Sequence, residues 1–261
     1  MGRSGCRWWG LALGLGLGLA RPDAALAAGG SRYTGQAIVT GTDMRDRPRG
    51  LALCLAQALV KASGDPNVLR RPGVPALEGK ATAFVAGLSY VDRMSGQPKH
   101  DEQGSRDRPF TLTARFDPAK IDAALAGLGV APWRGPRPTV ALVIAVAGFG
   151  HAFTVTPTEP LAVDMRAALV EERRLYDVRV ALPAAAGATP RGTILVRGTL
   201  RWDQAHFGWR ARWASLWYGR TYRWGEDGVP FDDAFGAALA GALGLAAGHA
   251  PPRPGTPLVR R

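Results

Sequence analysis

The chain has 261 residues and a formal net charge of +12, with 33 lysines and arginines against 21 acids. Of its two cysteines Cys6 falls in an N-terminal leader, which leaves Cys54 alone in the mature chain and excludes an internal disulfide, so a hydrophobic core must carry the fold. Only four of the basic residues are lysines (Lys61, Lys80, Lys99, Lys120), and such an arginine-, alanine- and glycine-rich bias is what a GC-rich genome produces. Basic character alone therefore does not mark a nucleic-acid binder.

Residues 1–27 read as a secretory signal peptide. Arg3 and Arg7 give a basic start, residues 10–20 are apolar but too few to span a bilayer, and Ala25-Leu26-Ala27 fits the small-x-small cleavage rule. The mature chain is then expected in the periplasm with a charge of +10, since the leader carries Arg3, Arg7 and Arg21 against Asp23. No later run reaches the ~20 apolar residues of a membrane helix, so no stable span is expected. Cys6 precedes the apolar run and is not placed for acylation. Cys54, in LALCLAQALV, reads as a small buried hydrophobe with no activating charge near it in sequence.

A first strand is predicted over 33–40 and a helix over 47–62, capped by Asp46 with Pro48 in its first turn. Leu51, Leu55, Ala58, Leu59 and Ala62 share the face that should pack on a sheet. Ser63-Gly64-Asp65-Pro66 stops that helix, and a weaker one is predicted over 75–83. The run 84–91 is β-prone. Phe110, Leu112, Ala114 and Phe116 alternate with Thr111, Thr113 and Arg115, the period of a strand with one buried face. Asp117 then offers a carboxylate N-cap with Pro118 behind it. Ile121, Ala124, Leu125 and Leu128 line one helical face, and Gly129 is the stop. Residues 92–108 become a long excursion between paired strands. Its Arg93, Lys99, Arg106 and Arg108 balance Asp92, Asp101, Glu102 and Asp107, and a loop of that length is functional or disordered.

Three prolines in 132–138 forbid a continuing helix and a central strand, which places a domain seam there. Beyond it, 139–146 (TVALVIAV) is a strand buried on both faces, 162–175 a helix and 178–182 a strand, together a parallel crossover unit. Residues 193–202 and 207–218 read as a hairpin, 222–224 as a third strand, and 231–245 as an amphipathic helix with Phe235, Leu239, Ala242 and Leu243 inward. The expected fold class is α+β in two small layered units: residues 28–134, with an antiparallel hairpin and helices, and 135–247, with strand–helix–strand, an antiparallel meander and a terminal helix. Residues 248–261, with their prolines and arginines, read as a disordered basic tail.

The words SGDP (63–66), DRMSG (92–96) and HDEQGSRDRPFTLTARFDPAKIDAAL (100–125) resemble a proteobacterial family known as domain of unknown function 2066. The likeness extends over about 33–245 and is looser in the second half, where an Ala/Pro/Gly-rich connection (182–192) departs from it. It implies a secreted envelope protein, with no activity, cofactor or catalytic residue to transfer.

Candidate chemistry is sparse. His100, Asp101, Glu102 and Asp107 admit a metal or acid–base reading, but neither HExxH nor a calcium-loop spacing is present, and a loop of internal ion pairs bent back by Arg106 and Arg108 competes with it. Trp209, Trp213 and Trp217 share one strand face with Ala211 and Ser215, while Arg210 and Arg212 share the other. That tryptophan face is either core under the last helix or a surface for a protein or glycan. Gly148-Phe149-Gly150-His151 has no phosphate-loop lysine and no nucleophile elbow, and His151 and His206 are expected on exposed turns. No catalytic, cofactor-binding or metal-binding residue is assigned. The expected function is a non-enzymatic binding or assembly module for another envelope component. Arg93, His100, Asp101, Glu102, Arg106, Asp107, Arg108, Trp209, Trp213 and Trp217 are its candidate contacts. The alternatives are a periplasmic hydrolase or metal-dependent enzyme using the 100–107 loop, and a glycan or peptidoglycan binder using the tryptophans. In an exported chain, anionic envelope surfaces or acidic proteins are expected as partners, not nucleic acid.

Overall fold

Strand β1 (Thr34–Thr40) buries alternate residues against helix α1 (Arg47–Ser63), and their contact fixes the first half of the molecule. Gly35 is required there, because a Cβ would meet the Cys54 backbone at 2.3 to 2.6 Å. The computed structural model describes residues 32–96, 100–101, 104–105, 108–183 and 192–260. α1 begins with a proline in its first turn, as predicted, but Asp46 makes no side-chain cap bond; Gly64, in the left-handed conformation, closes it. The weaker helix is broken into α2 (Val74–Glu78) and a 3-10 turn (Ala81–Phe84).

β2 (Val85–Asp92) and β5 (Pro109–Phe116) are the paired strands around the excursion, inside which β3 (His100–Asp101) and β4 (Gly104–Ser105) form a small antiparallel pair. The first sheet has the order β1-β5-β2, antiparallel throughout. Asp117 caps α3 (Pro118–Gly127) by accepting from the Ala119 and Lys120 N–H groups. Leu112, Ala114 and Phe116 face α1. The open edge of β1 is satisfied by a side chain: Gln57 accepts from the Gln36 N–H (2.9 Å) and donates back to its carbonyl (2.6 Å).

Residues 132–138 lead to the second sheet. The Trp133 N–H bonds the Ala62 carbonyl at the end of α1, and Arg32 and Arg137 stack on its indole. β6 (Thr139–Gly148) pairs in parallel with β9 (Thr193–Asp203) on one side. On the other it pairs with β8 (Arg179–Ala181) in parallel and β7 (His151–Thr154) antiparallel. β10 (Gly208–Trp217) and β11 (Arg220–Val229) complete the meander, giving the order β11-β10-β9-β6-β7. The sequence reading missed β7, a four-residue return through the tight turn at 149–150. α4 (Val163–Tyr176) makes the crossover to β8, and α5 (Phe231–Ala247) packs on the inner face of this sheet.

The fold class is α+β, with layers running sheet, helix, helix, sheet. One buried cluster joins the two sheets through α1, α4 and α5. Small residues on α5 permit this close packing: a Cβ on Gly241 would meet the Trp224 ring at 2.4 Å. Residues 248–260, expected to be disordered, instead run packed along the surface, with Pro251, Pro252, Thr256 and Val259 buried. Among the described residues no helix is long and apolar enough to cross a membrane.

Candidate functional site: the arginine face of the meander

The two faces of the meander have opposite fates. On the inner face Trp213 is 2% exposed and lies on Gly198, where a Cβ would come within 2.0 Å of its ring. Trp209 is 8% exposed, and the Trp224 indole N–H donates to the Ala237 carbonyl of α5 at 2.9 Å. The tryptophan face is thus core, and Trp209 and Trp213 present no ring to a protein or glycan. Trp217 is half-buried, edge-on to Tyr218 at 4.8 Å. The physical reason is area: large rings on one strand face are covered by the helix that the chain places next.

Among the described residues nothing covers the outer face, and it is arginine-rich. Register sets Arg201 of β9 directly opposite Arg210 of β10, and sets Arg197 and Arg223 on either side of Ala214. Arg212 lies between these rows, opposite Thr199. Two acids serve part of this array. Asp203 accepts from Arg210 (2.7 Å), and Asp227 takes Arg210 (3.2 Å) and Arg212 (2.8 Å). These arginines hold the Asp227 carboxyl below the usual range, the Arg212 hydrogen bond foremost. The His206 hydrogen bond does the same for Asp203. Arg197, Arg201 and Arg223 are exposed, and no acid among the described residues pairs with them. A shallow cavity of about 350 Å³ lies over Arg197, Thr199, Arg212, Ala214 and Arg223. Like charges directly opposite across a strand pair are destabilising, so Arg201 opposite Arg210 costs stability that the fold does not require. Arg210 and Arg212 were legible from their alternation with the tryptophans. The same spacing in Arg197-Gly198-Thr199-Leu200-Arg201 is the signal for the rest.

The excursion contributes differently from expectation. Arg108 is largely buried, pairs with Asp92 at 3.2 Å and donates to the Met94 carbonyl, so it clasps the foot of the hairpin. Arg93 reaches Thr111 at 3.5 Å on the open face of the first sheet. The side chains of His100 and Asp101, and all of Glu102, Arg106 and Asp107, lie outside the described residues. Among the described residues no three His, Cys, Asp or Glu groups converge as a metal set.

One buried ionic group escaped the sequence reading. Lys61, 5% exposed, donates to the Thr34 carbonyl at the edge of β1. Arg137 pairs with Asp177 at 2.7 Å and donates to the Lys61 carbonyl at 2.8 Å. Burial pushes the Lys61 amine down to about 8; Asp177 opposes that and Arg137 adds to it. A cavity of about 240 Å³ lies beside it, lined by Gln57, Arg174 and Asp177 among others. The amine is engaged in closing the edge of β1, and the three charges fasten the ends of α1 and α4 to the linker. Cys54 is likewise structural: burial pushes its thiol up to about 12.

Residues 30–134 match the family model described as Domain of unknown function (DUF8605). This replaces the expected likeness to domain of unknown function 2066: the first part of the chain is similar to an uncharacterised domain, but a different one. No curated protein and no solved structure matches the chain.

Proposed function

We propose that the protein is an exported, non-enzymatic binding module whose arginine-bearing sheet face holds an anionic component of the cell envelope. The observation that carries this reading is the open face of β9, β10 and β11, where Arg197, Arg201 and Arg223 have no acid partner among the described residues and Arg197 and Arg223 border a shallow cavity. Guanidinium groups are suited to this task, since their planar forks match phosphate and carboxylate oxygens. The secretory pattern of residues 1–27 supports export. The contact surface thereby moves from the tryptophans to the reverse side of the same strands.

The test is binding of the mature chain to polyphosphate across a salt series. Affinity should fall steeply with salt. At about 1 kcal/mol per arginine near an anionic surface, the Arg197→Glu/Arg223→Glu variant should bind at least tenfold more weakly while remaining folded. Binding that is indifferent to both salt and charge reversal would sink the reading.

A further inference from the structure

Two turns at one end of the second sheet, after β6 and after the arginine-bearing β9, are not explained by the fold. β6 and β9 are parallel, so the turn after β6, at 149–150, and the turn after β9, at 204–207, stand at the same end of the sheet. Each turn places a phenylalanine in the left-handed region: φ is 52° at Phe149 and 46° at Phe207. Tight turns with this backbone are served by asparagine and glycine, and a bulky apolar residue there is strained. Both side chains also face water. Phe149 is 67% exposed, with its ring resting 4.5 Å from that of Trp202. Phe207 is 76% exposed. Neither strain nor exposure benefits the isolated fold, and a turn of this kind is where function overrides local preference.

The surroundings identify the occupant. Arg201 is two residues from the end of β9, so its Cα lies roughly 7 Å behind the turn at the usual strand rise. Arg210 enters β10 beside it, and His151, at the start of β7, and His206, in the second turn, are exposed. Two apolar tips backed at this distance by the Arg201 guanidinium, with Arg210 held beside it by Asp203 and Asp227, match a lipid surface. Interfacial segments bury apolar groups about 5–10 Å into the headgroup boundary, and phosphates lie within reach of the cations behind them. Resting on the anion-binding reading, we infer that the Phe149/Phe207 end of the second sheet docks peripherally on an anionic bilayer. The phenylalanines enter the headgroup layer and Arg201 meets lipid phosphates, while Arg197 and Arg223, roughly 20 Å behind the tips, add to the attraction of the anionic surface at longer range.

The experiment is co-sedimentation of the mature chain with phosphatidylglycerol-containing vesicles, with phosphatidylcholine vesicles as comparison and polyphosphate binding in parallel. The variant is Phe149→Asn/Phe207→Asn. Asparagine suits both turns, but Phe149→Asn gives up ring contacts with Trp202 (4.5 Å) and Trp209 (6.0 Å), so the single variant Phe207→Asn, which should melt no lower than the parent and bind vesicles more weakly, is measured beside the double one to separate binding from folding. The wild-type chain is expected to sediment with the anionic vesicles and not with phosphatidylcholine alone. The double variant should bind vesicles about tenfold more weakly or worse, as the loss of two partly buried rings implies, and bind polyphosphate as before. Tyr218→Asn, at the opposite end of the sheet, should bind both as the parent does. Vesicle binding unchanged by the double variant would overturn the docking mode while leaving the anion-binding face intact. So would polyphosphate binding with no vesicle binding, which would mean the tips serve another partner. Absence of polyphosphate binding in the wild-type chain would instead overturn the reading beneath it.

Discussion

At Lys61 and Cys54, one helix buries two ionisable groups whose effects on stability run in opposite directions. The amine has fallen from 10.5 to about 8 through burial, so between those values the unfolded chain binds a proton that the folded chain does not. Stability therefore rises with pH across that window, by on the order of 3 kcal/mol in total. The thiol has risen from 9.0 to about 12, so between those values the folded chain holds a proton that the unfolded chain has lost, and stability falls. Tyr33 and Tyr176, both raised from 10.0 chiefly by burial, add a loss of stability that begins at pH 10, so together the four groups predict a rise from pH 8 to 9, a plateau to about 10 and a decline above it. Urea unfolding of the parent, Lys61→Met and Cys54→Ala across this range checks it. Lys61→Met should show no rise and decline from pH 9, whereas Cys54→Ala should keep rising to about 10. A Lys61→Met profile that still climbs between 8 and 9 would refute the assignment.

Among the elements, the closest approach is that of α1 to β1, and it turns on glycine. A Cβ at Gly35 would fall inside the Cys54 backbone, at 2.3 Å from its carbonyl oxygen, and backbone cannot step aside as a side-chain end does. Gly35→Ala should separate strand from helix and destabilise by about 3 kcal/mol, the upper range of overpacking. Gly127, in the last turn of α3, has nothing within 4 Å of its Cβ position, so Gly127→Ala should stabilise by up to about 1 kcal/mol. Thermal or denaturant unfolding of the pair distinguishes packing from chain entropy: equal effects of one sign would contradict the account. These elements were legible where a local rule decides them. Alternation gave β5, and the Asp117-Pro118 pair gave the start of α3. Asp46 offered the same kind of cap signal, but its side chain makes no bond to the helix N-terminus, and no local pattern says so. The outward direction of Arg210 and Arg212 was also local, whereas the openness of their face depends on which side α5 covers, a choice made between segments far apart in the chain.

The whole molecule shows the limit of such reading most clearly at its C-terminal end. Proline- and arginine-rich composition signals disorder, yet 248–260 is held by a residue far back in the chain. The Asn67 amide donates to the carbonyls of Ala250 (3.3 Å) and Pro251 (3.2 Å). Its oxygen accepts from the Arg253 N–H (3.0 Å) and the Thr256 hydroxyl (3.1 Å). Arg70 donates to the Pro254 carbonyl, and Gln57 to that of Arg260 at 2.7 Å. Prolines give up little backbone freedom on ordering and leave their carbonyls available, so a few bonds from one asparagine suffice where composition alone argues for disorder. The strap thereby fastens the end of α5 to the turn after α1, one body to the other side of the helical layers. Asn67→Ala removes all four of these bonds at about 1 kcal/mol each before relaxation, and water replaces part of the loss because the site is open; a net destabilisation of about 2 kcal/mol is expected. Amide exchange should accelerate over 250–260 while the meander stays protected, since β9, β10 and β11 hold one another without the strap. Asn67→Asp, which keeps the acceptor and loses the donor, should fall between Asn67→Ala and the parent. Exchange over 250–260 as slow in Asn67→Ala as in the parent would show that the buried Val259 and the prolines hold the strap without it.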